Sequence, residues 1–139
     1  MKKIVFITLS LLLAVSFWNC EKDDICAEGT PTTPRVIIEF YDAANPTVLK
    51  NVTNLKVVET SLTDGFGFTG VNKIQVPLRT NSEETILNFI QNGNNSDTSD
   101  DNTDELIFNY VTQEVYISRA CGYKLTFQLD AIDGVVATP

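Results

Sequence analysis

From residue 34 onward, apolar and polar positions alternate in short runs separated by turn-forming residues. Pro34 precedes Arg35-Val36-Ile37-Ile38-Glu39-Phe40-Tyr41, in which Val36, Ile38 and Phe40 share one face of an extended chain. Asp42 to Pro46 supplies a polar connection, and Leu55 to Leu62 predicts the next strand. Asp64-Gly65-Phe66-Gly67-Phe68-Thr69-Gly70 predicts a glycine-rich turn. Ile74, Val76 and Leu78 form another alternating set, with Pro77 pointing to an edge or strand-end position. Leu106 to Val111 and Glu114 to Arg119 predict a hairpin that reverses at Thr112-Gln113. The clearest strand comes last, where Tyr123, Leu125, Phe127 and Leu129 alternate with Lys124, Thr126, Gln128 and Asp130.

One stretch admits two readings. Asn81-Ser82-Glu83-Glu84 resembles a helix capping box, and Ile86, Leu87 and Ile90 would line a helical face ending at Gly93. The apolar run is short and lies between strands, so a strand is preferred for residues 85–91. The sum is about seven strands at the turn spacing of an all-β fold, a single antiparallel β-sandwich. No βαβ alternation is present, which argues against a parallel sheet.

Between two of these strands lies a polar insert, residues 92–104, whose span from Asn92 to Thr103 contains no apolar side chain. Such composition predicts a solvated loop. Asp100, Asn102 and Asp104 are spaced i, i+2, i+4 and are the candidate calcium ligands, being hard oxygen donors. The EF-hand template fails at two defining positions: Glu105 stands where glycine belongs, and Val111 where the bidentate glutamate belongs. No metal site is therefore assigned.

The N-terminal segment follows different rules. Lys2 and Lys3 precede an uncharged, almost wholly apolar run from Ile4 to Trp18. A basic start followed by about fifteen apolar residues fits a cleaved export signal, whereas a membrane span needs closer to twenty. The predicted organisation is a signal peptide at residues 1–19, a tether at 20–33, the sandwich at 34–133 and a C-terminal tail at 134–139. Cys20, directly after the apolar run, resembles the acylated cysteine of bacterial lipoprotein signals. Phe17, Trp18 and Asn19 depart from the usual Leu-like residue and two small ones. That resemblance implies lipidation at Cys20, with a fatty acid such as palmitate, and membrane attachment through the acyl chains. Lys22, Asp23 and Asp24 resemble the lysine-plus-acids signal that carries some Bacteroidetes lipoproteins to the cell surface; a solvated spacer is the plainer reading.

Three cysteines leave one unpaired in an exported chain. With Cys20 given to lipid, Cys26 and Cys121 remain, and an oxidising compartment favours a disulfide between them. Closing so long a loop stabilises by roughly 4–5 kcal/mol on the chain-entropy model.

Charge and composition narrow the function classes. Ten basic against eighteen acidic side chains give a net charge of −8. Removal of Lys2 and Lys3 with the leader takes it to −10. That balance argues against a sequence-independent nucleic-acid binder. The chain contains no histidine, which removes Ser-His-Asp and Cys-His nucleophile systems and the usual neutral-pH general base. No cofactor is implied.

Two stretches carry a family likeness: Cys20-Glu21-Lys22-Asp23-Asp24-Ile25-Cys26 with Pro31-Thr32-Thr33-Pro34-Arg35, and Val115-Tyr116-Ile117-Ser118-Arg119-Ala120-Cys121-Gly122-Tyr123. They resemble uncharacterised outer-membrane lipoproteins of the Bacteroidetes, flavobacterial in type. The resemblance implies export and an outer-membrane anchor and brings no activity with it. The expected function is a non-catalytic binding or accessory domain, part of an envelope complex, displayed at the cell surface rather than on the periplasmic face. Phe66 and Phe68 are its candidate contact loop. The competing readings are a histidine-free hydrolase using carboxylates, with Glu39 beside Tyr41 as the mild candidate, and a structural spacer. Arg35 and Arg119 are expected in edge salt bridges with Glu28 or Glu39.

Overall fold

The computed structural model describes residues 2–16, 25–30 and 34–138. Cys20, Lys22, Asp23 and Asp24 lie outside the described residues. Two compact units are present: Met1–Thr30 with Tyr116–Tyr123, and Pro31–Val115 with Lys124–Pro139.

In the first unit, the apolar N-terminal run forms helix α1, Lys2–Ser16. At 1.5 Å per residue it is about 22 Å long, short of the roughly 30 Å hydrocarbon core. Among the described residues no helix is long and apolar enough to cross a membrane. The same unit contains the expected disulfide, Cys26–Cys121, with Cα atoms 4.9 Å apart and a sequence separation of 95.

The second unit is all-β. In chain order the strands are β1 (Arg35–Glu39), β2 (Leu55–Glu59), β3 (Phe66–Phe68), β4 (Lys73–Pro77), β5 (Glu84–Gln91), β6 (Asn102–Ser118), β7 (Gly122–Leu129) and β8 (Val135–Thr138). β6 and β7 also supply the Tyr116–Tyr123 segment of the first unit. Strands β1 and β4 form a two-stranded antiparallel sheet, with Val36 opposite Val76 and Ile38 opposite Ile74. The second sheet runs β3-β2-β5-β6-β7, with β8 pairing β6 as well.

The alternation explains how the sheets meet. Ile74, Val76 and Leu78 are buried with Leu55 and Val57 of β2, Leu87 and Phe89 of β5, and Phe108 and Tyr110 of β6. Val36, Ile38 and Phe40 pack half-buried against that cluster, and Phe127 meets Tyr110 edge to face at 4.9 Å. These are the inward positions of each strand, so the unit is a two-layer sandwich.

Residues 85–91 are strand, inside β5, and the capping-box reading fails because Leu87 and Phe89 face the core at period two. Other boundaries move. β6 is continuous for 17 residues through Thr112-Gln113. Neither residue favours the positive φ that tight hairpin turns require. The reversal falls instead at 119–121, followed by Gly122 at φ 67°. The glycine-rich stretch holds a strand, because Phe68 and Phe66 pair opposite Leu55 and Val57. Gly65 serves close approach there, since a Cβ would collide with the Val57 carbonyl oxygen. β6 starts at Asn102, so the acidic loop ends at 101 rather than 104.

The tail also contains a strand. β8 lies against the N-terminal half of β6, with Ala137 opposite Leu106. Asn109 holds the turn that makes this possible. Its backbone N–H donates to the Gly134 carbonyl (3.0 Å) and its carbonyl accepts from Asp130 N–H (3.0 Å). Its side-chain amide donates to the Asp133 carbonyl (2.8 Å).

Candidate functional site

A cavity of about 580 Å³ opens in the sandwich where β1 gives way to the loop before β2. Its apolar wall is built from Ile38, Phe40, Val52, Leu55, Phe89 and Leu106. These are mostly inward positions at strand ends, where the two sheets lack partner side chains to fill the space. Tyr41, Lys50, Gln91 and Asp104 add polar groups, and Ala137 of β8 lines one side. An apolar body with a few convergent polar groups is the usual form of a small-molecule site.

The polar rim is held by local structure. The chain folds back between Phe40 and Lys50: Lys50 N–H donates to the Phe40 carbonyl and Asp42 N–H to the Val48 carbonyl, both at 2.9 Å. The Asp42 carboxylate accepts from Ala44 N–H at 2.8 Å and pairs with Lys50 at 3.4 Å. These contacts, the Ala44 hydrogen bond first, hold its pKa below the usual carboxylate range.

Glu39 stands beside this rim on β1. It pairs with Lys73, its cross-strand neighbour on β4, at 2.6 Å and accepts from the Tyr41 hydroxyl at 2.7 Å. Lys73 and then Tyr41 lower the Glu39 pKa, while Glu39 raises those of Lys73 and Tyr41. Glu39 is thus held as a carboxylate. A glycosidic general acid needs the opposite, a carboxyl whose proton affinity is increased. Its cation is Lys73, not Arg35 or Arg119 as the sequence suggested.

The calcium candidates fall on different elements. Asp100 accepts from the Asn92 side-chain amide at 3.0 Å, whereas Asn102 and Asp104 lie in β6 opposite Gln91 and Phe89. Among the described residues no group of three acidic, cysteine or histidine side chains gathers as a metal site.

Phe66 and Phe68 are strand residues of β3, with ring centroids 6.5 Å apart. Phe68 packs against the core. Phe66 is 48% exposed and lines a second cavity, of about 330 Å³, with Leu62, Leu78 and Leu87. Glu59 and Arg79 flank that cavity 3.9 Å apart.

Behind the second cavity is a closed ring of hydrogen bonds. Arg79 N–H donates to the Thr85 hydroxyl (2.8 Å), and Tyr110 O–H donates to the Arg79 carbonyl (2.8 Å). With those protons placed, the remaining Thr85–Tyr110 contact, 2.5 Å, has Thr85 as donor. Sequence reading missed this ring and the main cavity. Tyr110 reads as one more inward aromatic, and Thr85 as a polar residue at the start of a strand. No spacing links them to Arg79.

Cavity, rim and staple belong to a small, disulfide-bonded, antiparallel β-sandwich protein. Residues 50–135 match the family of unknown function DUF6452, and the chain belongs to that family. No curated protein matches the chain, and no solved structure does.

Proposed function

We propose that this chain is a lipid-anchored envelope protein of the Bacteroidetes type whose sandwich is a non-catalytic binding module. The observation that carries the reading is the division of the cysteines: Cys26 and Cys121 are joined, leaving Cys20 as the third. A disulfide of this reach belongs to an oxidising compartment. Cys20 directly follows the apolar run of α1 and its flank, the place a lipoprotein acyl group occupies. Attachment is to the outer membrane, with Lys22, Asp23 and Asp24 directing display at the cell surface.

The cavity of about 580 Å³ is the ligand site in this reading. Its chemistry suits a molecule with an apolar body and a head group that hydrogen-bonds to the Gln91, Asp104 and Tyr41 rim, within an envelope complex or alone. Metabolic labelling with a palmitate analogue tests the anchor. The wild-type chain takes up label and Cys20→Ser does not. Equal labelling of the two, or none in the wild type, overturns the reading.

A further inference from the structure

The hairpin tip in the first unit, Tyr116–Tyr123, lies in a run of the chain free of acidic side chains. From Val115 to Leu129 the sequence holds two cations, Arg119 and Lys124, and no acidic residue, in a chain of net charge −8. Tyr116 and Tyr123 are 54% and 63% exposed, yet their rings meet edge to face at 5.3 Å. Ile25, next to the disulfide, is 83% exposed. Exposed tyrosines beside cations are the side chains that favour the boundary between water and lipid, where a ring is half apolar and its hydroxyl stays wet.

The disulfide decides where this tip is held. Cys20 precedes Cys26 by six residues, and an extended chain spans at most about 3.6 Å per residue. With the 4.9 Å between the Cys26 and Cys121 Cα atoms, the tip stays within about 27 Å of Cys20. We propose that the tip around Tyr116, Arg119 and Tyr123 is a second, non-covalent contact with the lipid surface, its rings at headgroup depth and Arg119 against lipid phosphates. This rests on acylation of Cys20 and adds to it a surface that orients the protein on its membrane. A phosphate-bearing bilayer complements the cations of this run, and the short reach from Cys20 holds the tip near one.

Tryptophan fluorescence tests it. Trp18 is the chain's one tryptophan and lies in the leader, so the mature protein offers a dark background. The full acylated protein carrying Tyr123→Trp, and separately Tyr116→Trp, is reconstituted in vesicles of phosphatidylethanolamine and phosphatidylglycerol. Part of the lipid is brominated in its acyl chains. The expected result is a blue shift, loss of emission to brominated lipid and protection from iodide, with Tyr41→Trp remaining iodide-accessible. Vesicle-bound, acylated protein whose introduced tip indoles stay iodide-accessible and unquenched overturns the proposal alone. Protein with no acyl mass on Cys20 and no flotation with vesicles overturns the anchor and the proposal together. Shielding that appears without vesicles and grows with protein concentration assigns the tip to self-association, and overturns it too.

Discussion

Thr85 and Tyr110, on adjacent strands of the large sheet, exchange a hydrogen bond deep in the sandwich while both also hold the backbone of Arg79. Arg79 lies two residues beyond β4, the partner strand of the small sheet. The ring therefore ties the end of one layer to the other through three polar groups. Both side chains are almost fully buried, at 1% and 2% exposure. Their burial makes each missing partner costly.

Tyr110→Phe should destabilise the fold by about 1–3 kcal/mol, because the Arg79 carbonyl and the Thr85 hydroxyl each lose a partner. Thr85→Val should cost a similar amount, and Thr85→Ser much less. Urea unfolding of the two single variants and their double variant should give a non-additive total, as expected of groups in one network. Additive losses would mean that the ring is not a unit.

Removing the disulfide should lower stability by roughly 4–5 kcal/mol on the chain-entropy model. Cys26→Ser and Cys121→Ser should melt alike, and reductant should bring the wild type down to them. A wild type insensitive to reductant would contradict the Cys26–Cys121 bond.

The Glu39–Lys73–Tyr41 group predicts a pH dependence at both ends of the scale. Glu39 is lowered by Lys73 and then Tyr41, so its contribution is present above the unfolded carboxylate pKa and disappears as acid protonates it. Lys73 and Tyr41 are raised, chiefly by Glu39, so their contributions are present below their unfolded pKa values and are lost as alkali deprotonates them. The stability gap between wild type and Glu39→Gln should be widest near neutrality, narrow below about pH 4 and above about pH 10, and shrink with salt. A gap independent of pH would refute the assignment.

Ala137 gives access to the main cavity without touching the core, since β8 is exposed and Ala137 lines one wall. Ala137→Trp should leave the far-ultraviolet circular dichroism unchanged and weaken binding of an apolar fluorescent probe such as anilinonaphthalene sulfonate. Undiminished probe emission would place binding elsewhere.

Calcium should leave the melting temperature where chelator leaves it, because Asp100 lies in the loop, bound to Asn92, while Asn102 and Asp104 belong to β6. A rise in calcium would require the loop and strand to rearrange around the ion.

Most of the strand order was legible because one face of each strand is buried: Ile74, Val76 and Leu78 in one run, and Leu87 with Phe89 in another, announce themselves by spacing. β8 was illegible for the opposite reason. Val135–Thr138 is exposed throughout and becomes a strand only by pairing with Glu105–Phe108. β3 was hidden by glycines that look like turn formers but admit Val57, Val58 and Asn94 at close range. The cavity depends on where strands from distant parts of the chain stop, which no local pattern encodes. Its Lys50–Thr53 side read simply as a gap between strands.

The cross-link at Cys121 also determines how the protein bears load. A pull on the chain ahead of Cys26, resisted anywhere beyond Cys121, passes directly through the sulfur bridge. The 95-residue separation between the two cysteines, which takes in β1 to β6, is bypassed, so those strands are not peeled apart in sequence by tension. Reduction would release roughly 330 Å of contour into the path of the force. Intact, the bridge turns most of the sandwich into a rider on the line of tension rather than a link in it.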